Sequence, residues 1–250
     1  MIFTIAGREL RSLFLSPLAW AILAVVQFIL AYLFLSQIET WMLLQPRLAV
    51  LEGAPGVADI IVAPLFADAA VILLLITPLI TMRVLSEERL NRTLSLLFSA
   101  HISMTEIVVG KYLGVLAFFM ILLALLALMP LSLAVGSDLD FGKMAAGLLG
   151  LTLVLAAFAA IGLSMSALTA QPTVAAVTTF GLLLLLWIID WAGDAGSETG
   201  NQLAQLSMLR HYEPLLQGRF STADVAYYLL VIALFLGFSI RRLDADRLQH

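Results

Sequence analysis

Six stretches of about twenty predominantly apolar residues constrain the fold of this chain more than any other feature. They span residues 17–38, 60–82, 111–135, 144–168, 173–191 and 223–240. Lipid offers no water to satisfy backbone groups, and the sequence lacks the alternating polarity of barrel strands, so each stretch is predicted to be a helix. The sequence therefore predicts an all-α polytopic membrane protein that forms a single domain over residues 1–250.

The composition supports this fold class. Hydrophobic residues make up 62% and charged residues 12% of the chain, against roughly 45–50% and 25% in soluble domains. The net charge of −4 gives no indication of a nucleic-acid partner. The absence of cysteine excludes disulfides and thiolate metal sites. We expect no cleavable signal, because the first apolar stretch is too long for one.

The basic residues predict the orientation, because cytoplasmic loops are enriched in Lys and Arg. If both termini are cytoplasmic, nine basic residues lie inside: Arg8, Arg11, Arg83, Arg89, Arg92, Lys111, Arg241, Arg242 and Arg247. Only Arg47, Lys143, Arg210 and Arg219 then lie outside. We therefore expect cytoplasmic termini.

Three segments outside the spans are predicted to have structure of their own. Residues 1–16 read as an amphipathic helix lying flat on the inner leaflet, and Ser16-Pro17 ends it. Residues 192–222 read as an outer-side helix or a shallow re-entrant element. Residues 84–104 alternate charged and apolar side chains at roughly helical spacing, before a capping box at Ser103 and Glu106. This last segment is either a solvated cytoplasmic loop or a helix that docks a soluble partner.

The residues offer little catalytic chemistry. A nucleotide-binding P-loop around Gly110-Lys111 would need glycine at position 105 and serine or threonine at position 112. The chain has Thr105 and Tyr112 there instead. Every histidine lies outside the spans, which argues against an intramembrane serine hydrolase. No His-Glu-x-x-His zinc motif exists. We therefore predict no catalytic, cofactor-binding or metal-binding residue.

Three polar residues within or at the ends of the spans are candidates for a transport pathway: Gln27, Asp68 and Asp190. An intramembrane acid suggests a functional role, although both aspartates are predicted near the outer interface, where they can also be interfacial. An ion-coupled carrier would place charge near the midplane, and none is predicted there. Small residues in the fourth span, and Gly110 with Gly114, predict close packing between helices of the chain.

The six spans, the flat N-terminal helix and the charged loop between spans two and three resemble the permease subunit of an ABC-2 type transporter, and in particular the GldF-like permeases of gliding motility. That family reads approximately Met-Arg-x-x-x-Glu-Glu-Arg-x-x-Gly-Thr-Leu, with Gly-Lys at the next span. The matching residues are Met82, Arg83, Glu87, Glu88, Arg89, Thr93, Leu94, Gly110 and Lys111. An outer-side motif of the family is matched by His211, Tyr212, Gly218, Asp224 and Tyr228. The chain departs from the pattern at Arg92, where the family has glycine, and at Ser95, where an acid is common.

The resemblance implies a non-catalytic subunit of an exporter in the bacterial cytoplasmic (inner) membrane, with ATP hydrolysed by a separate ATPase chain. The implied coupling residues are Arg83, Glu87, Glu88, Arg89, Arg92, Thr93, Leu94 and Leu97. A second permease copy or a related permease would complete the pathway, with the first and fifth spans at the contact. An accessory protein with an outer-side domain is a further implied partner.

Three other readings remain open at the level of sequence. The chain could be a non-transporting subunit that passes ATPase motion to an envelope protein, since that role needs the same docking helix. It could also be a secondary carrier or an intramembrane hydrolase, although the lack of midplane charge and of a membrane histidine argues against these two.

Overall fold

In the computed structural model, which describes residues 1–48, 55–91, 103–192 and 202–247, the chain is a bundle of α-helices. Six of them are long and apolar enough to cross a membrane, so the predicted all-α membrane fold is confirmed. The helices are α1 (Ile2–Leu15), α2 (Pro17–Leu48), α3 (Ala63–Thr81), α4 (Ser86–Leu90), α5 (Met104–Ser132), α6 (Phe141–Leu168), α7 (Pro172–Ile188), α8 (Met208–Leu216) and α9 (Thr222–Arg247). A π-helical turn, Ala58–Val62, leads into α3.

Helix α6 is the centre of the bundle. It packs against α3, α5, α7, α8 and α9, and 67% of its most apolar window is buried. Its small residues make this possible: a Cβ at Gly162 would lie 2.7 Å from Thr81 Cβ of α3. The close packing predicted from the small residues of this span is therefore confirmed.

Helix α3 lies between α2 and α7 and has α6 behind it. Its remaining face carries a stripe of exposed apolar side chains, Val71, Leu75 and Leu79. Positions 68, 75 and 79 share one side of a helix, so Asp68 lies at one end of the same stripe.

The bundle has two ends, which we name after their short helices. The α4 end carries α1, α4, the start of α5 and the C-terminal part of α9, so both termini lie at the same end. The α8 end carries α8 and the start of α9. This agrees with an even number of spans.

Two helices extend beyond the predicted apolar spans. α2 continues to Leu48, whereas the first span was predicted to end at residue 38. α5 begins at Met104, ahead of the span predicted from Lys111, and its start confirms the capping box predicted at Ser103: Ser103 Oγ accepts from the Glu106 N–H, and Glu106 Oε2 accepts from the Ser103 N–H. α4 ends at Leu90, where Asn91 leaves helical geometry at a ψ of 0°. Residues 92–102 of the segment predicted to dock a soluble partner lie outside the described residues.

Candidate coupling site

A buried lysine joins three segments at the α4 end. The Lys111 ammonium lies 2.8 Å from Glu88 Oε1 of α4 and 3.2 Å from Glu9 Oε2 of α1. It also donates to the Val84 carbonyl at 2.8 Å. A lysine has three N–H donors and no acceptor, so these partners use its full capacity. The result is a charge cluster between α1, α4 and α5 in which the ammonium of Lys111 is buried and fully hydrogen-bonded.

A close helix contact brings Glu9 into this cluster. Helix α1 runs along α5, and a Cβ at Gly110 would lie 2.7 Å from Ile5 Cβ. At Gly114 the same atom would lie 2.6 Å from Glu9 Cβ. The Gly-x-x-x-Gly pair therefore packs two helices of one chain together, which confirms its interpretation as intramolecular.

Helix α4 is bonded to two further spans. Arg89 forms an ion pair with Asp246 near the end of α9, and Arg242 lies 3.6 Å from the same carboxylate. Ser166 Oγ of α6 accepts from the backbone N–H groups of Leu85 and Ser86, both at 3.0 Å. The same hydroxyl donates to the Met82 carbonyl at 3.1 Å. The turn from α3 into α4 is thereby attached to α6.

The predicted coupling residues divide into three groups. Glu88 and Arg89 point into the protein and make the contacts above, whereas Arg83 and Glu87 are exposed. Arg92, Thr93, Leu94 and Leu97 lie outside the described residues. Glu9, Lys111, Ser166 and Asp246 belong to the cluster but were not predicted as site residues. The charged Lys111 inside an apolar stretch was the signal in the sequence that could have indicated this cluster.

The outer-side motif comes together at the α8 end. His211 Nδ1 lies 2.7 Å from Asp224 Oδ1, and its ring stacks on Tyr227 with centroids 4.0 Å apart. The Tyr228 hydroxyl donates to the Met208 carbonyl at 2.7 Å. Gly218 has a φ of +76°, a value that favours glycine, and its Cα faces Lys143 of α6.

Helix α8 buries one face against the spans and exposes the other, which carries Arg210 and Glu213. Met208, Tyr212 and Leu215 are fully buried against the bundle. The Tyr212 hydroxyl donates to the Phe66 carbonyl of α3 at 3.0 Å. Burial raises the pKa of Tyr212 well above its usual range, which keeps this donor protonated. This one-sided burial is that of an amphipathic helix lying against the bundle.

The three candidate pathway residues lie in different surroundings. The Gln27 amide donates to the Leu122 carbonyl of α5 at 3.1 Å, so it bonds α2 to α5. Asp68 Oδ2 accepts from Gln37 Nε2 of α2 at 3.1 Å. Asp190 is half-buried in a 3₁₀ turn that follows α7. Among the described residues, no group of three or more His, Asp or Glu side chains could hold a metal ion.

A known protein family matches the sequence of this chain. A model described as ABC-2 family transporter protein matches residues 48–189, more than half of the chain. The match runs from the end of α2 to the turn after α7 and includes α4, Lys111 and Ser166. Comparison with curated proteins gives no match. On the strength of the family match, this chain belongs to the ABC-2 family of transporter proteins.

Proposed function

We propose that this chain, a permease subunit of an ABC transporter by its family, receives the movement of a separate ATPase through α4. The observation that carries the proposal is the position of α4. This short charged helix is bonded to α1 and α5 by Lys111, to α9 by Arg89 and to α6 by Ser166. Because one small element contacts so many helices, a force applied to it reaches most of the bundle.

The bonds are of a kind that transmits movement. Charge-assisted hydrogen bonds are roughly twice as strong as neutral ones, and they are stronger in the low-dielectric surroundings of a buried group than in water. The Lys111 side chain is only 6% exposed, so water does not compete for its partners. A displacement of α4 would therefore move α1 and α5 with it.

The surface that would meet the ATPase is the open side of α4. Leu90 is 56% exposed, and Arg83 and Glu87 are exposed beside it. An exposed leucine among charges is a suitable anchor for a partner, because interface cores bury apolar side chains inside a polar rim. Arg92, Thr93, Leu94 and Leu97 follow directly in sequence and extend this surface in the proposal.

A second permease copy would cover the stripe on α3 and the exposed apolar faces of α2 and α7 that flank it. Exposed large side chains on these helices include Phe28 and Tyr32 of α2, and Val177 and Leu185 of α7. The two flanking helices are the first and fifth spans, so their arrangement around α3 supports this contact. Asp68 and its partner Gln37 would then lie at the outer end of the pathway, near Asp190.

We assign the α4 end to the cytoplasm, the α8 end to the outer side of the bacterial cytoplasmic membrane, and export as the direction of transport. The basic residues support the orientation, because eight of those in the described part of the chain belong to α1, α4 and the turn before it, the start of α5 and the end of α9. The His211 cluster would position α8 for an accessory outer-side protein. Likeness to GldF-like permeases rests on the sequence motifs given above.

The test is association with the ATPase when the exposed apolar anchor is changed. In the full chain co-expressed with its ATPase, Leu90→Asp should abolish co-purification and the stimulation of ATP hydrolysis. The matched control is Leu203→Asp, which changes a 42% exposed leucine outside α4 and should leave both unchanged. Equal association of the two variants would overturn the proposal, as would ATP binding by the isolated chain.

A further inference from the structure

A cleft at the α4 end shares Arg83 and Glu87 with the surface proposed to meet the ATPase and Leu79 with the stripe on α3, but it extends beyond both along α1 and the start of α2. Two adjoining cavities of about 260 and 250 Å³ lie between α1, the start of α2, the end of α3 and α4. Both are lined by Glu9, Ser12, Arg83, Val84 and Glu87, so they form one continuous groove. We name it the α1 cleft.

The α1 cleft is apolar at one end and charged at the other. Leu18 and Ile22 of α2, Leu79 of α3 and Phe118 of α5 line the first cavity. Arg8, Glu88 and Asn91 line the second. The change of polarity occurs where α1 ends and α2 begins its membrane span, which is the depth at which lipid head groups meet acyl chains.

Two opposite charges at the rim remain open. Arg83 and Glu87 are both exposed, and neither forms an ion pair within 4 Å to any of the described residues. Glu9 on the same rim already pairs with Lys111. The hydroxyl of Ser12, an exposed residue of α1, adds a neutral donor beside them. Arg8, at the charged end of the cleft, is also exposed and forms no ion pair to any of the described residues. The cleft thus presents two open cations, one open anion and an apolar channel.

We propose that the α1 cleft binds a phospholipid with a zwitterionic, amine-bearing head group, of the phosphatidylethanolamine type. Its phosphate bonds to Arg83 and Ser12, its ammonium bonds to Glu87, and its acyl chain follows Leu18, Ile22 and Leu79. Arginine recognises phosphate through a fork of N–H donors. Arg8 and Arg83 could both meet the phosphate of an anionic lipid, but a head group without an amine would bring no cation to Glu87. The ammonium is therefore the feature that distinguishes the proposed lipid. Each cavity is at or below the size of a small-ligand pocket, roughly 300–1,000 Å³, so the head group and first methylenes enter and the rest stays in the bilayer.

Native mass spectrometry of the full chain, without an ATPase, tests the proposal directly. The probes are phosphatidylethanolamine, phosphatidylglycerol, diacylglycerol and soluble glycerophosphoethanolamine. The wild type should retain phosphatidylethanolamine at least about tenfold better than the other three, the effect expected from one charge-assisted bond. Equal retention of the lipids would overturn the proposal. Equal retention of the soluble head group would mean that the apolar channel is not used, which also overturns it.

Variants separate the cleft from nonspecific lipid adhesion. Ser12→Trp fills the groove from an exposed position on α1 and should abolish retention, whereas Arg11→Trp on the exposed neighbour should not. Arg83→Gln should remove retention of phosphatidylethanolamine, with Arg11→Gln as its control. Glu87→Gln should raise phosphatidylglycerol to the level of phosphatidylethanolamine, because the uncompensated carboxylate is gone. If Ser12→Trp and Arg11→Trp behave alike, the α1 cleft is not the site.

Discussion

The two ends of the bundle both contain charged groups held against apolar helices, but they are built differently. At the α4 end, one lysine joins α1, α4 and α5 while Arg89 and Ser166 extend the network to α9 and α6. At the α8 end, Lys143 pairs with Asp59, and His211 pairs with Asp224 of the neighbouring helix. The first arrangement connects many elements through a small helix with an open side. The second closes a short helix onto the bundle.

This difference shows how burial sets the importance of a charge. The Lys111 side chain is 6% exposed and that of Lys143 is 36% exposed. Both lysines form ion pairs at similar distances, yet water screens the second far more than the first. Charge alone therefore does not identify the residue that holds the protein together.

The strongest test of this comparison removes each lysine in turn. Lys111→Met should lower the free energy of unfolding by about 3–5 kcal/mol, because Glu9 and Glu88, which are largely buried, would lose the ammonium that pairs with both of them. Lys143→Met should cost at most about 1 kcal/mol. Thermal unfolding in detergent measures both. Adding Glu9→Gln and Glu88→Gln to Lys111→Met should recover part of the loss, and equal costs at the two ends would contradict the comparison.

Reversal of two neighbouring acids should separate the inner and outer sides of α4. Glu88→Lys places a second cation against Lys111 and should cost about 2–5 kcal/mol of stability. Glu87→Lys changes an exposed side chain and should alter stability by less than about 1 kcal/mol. We expect Glu87→Lys to insert and fold normally but to weaken ATPase association. Unfolding curves and co-purification with the ATPase, measured on both variants, test this expectation. A larger loss of stability in Glu87→Lys than in Glu88→Lys would contradict the assignment of Glu88 to the inner side of α4.

Tightening the contact between α1 and α5 should have an intermediate effect. Gly114→Ala puts a Cβ within 2.6 Å of Glu9 Cβ, and overpacking of this kind costs about 1–3 kcal/mol. Gly237→Ala on α9 is the control, because nothing lies within 4 Å of the added atom there. Thermal unfolding should show a loss for the first variant only. A stable Gly114→Ala protein would mean that α1 is not held tightly on α5.

The smallest effect is expected at the α8 end. Tyr212→Phe removes the hydrogen bond to the Phe66 carbonyl and should cost about 1 kcal/mol. Tyr32→Phe, at a 68% exposed position of α2, should cost nothing measurable. Neither change should affect association with the ATPase, because both residues lie away from α4. A loss of ATPase coupling in Tyr212→Phe would show that the two ends communicate.

The sequence by itself determined the elements whose cause is local. Long apolar stretches predicted six spanning helices, Ser16-Pro17 marked the break between α1 and α2, and Ser103 with Glu106 marked the start of α5. These features depend on the hydrophobicity or hydrogen bonding of residues close in the chain. The family motif predicted that His211 and Asp224 belong to one group. It did not predict the distance of 2.7 Å between their side chains.

Only the tertiary structure decided which charges are buried. Glu87 and Glu88 are neighbours with the same side chain, yet one is exposed and the other meets Lys111. Glu9 and Asp246, distant in sequence, complete the network because Gly110 and Gly114 let α1 approach α5 and because α9 ends beside α4. Such contacts depend on helix packing across the whole chain, which residue spacing does not encode. That packing is also what separates the inward side of α4, which holds the bundle together, from the open side proposed to meet the ATPase.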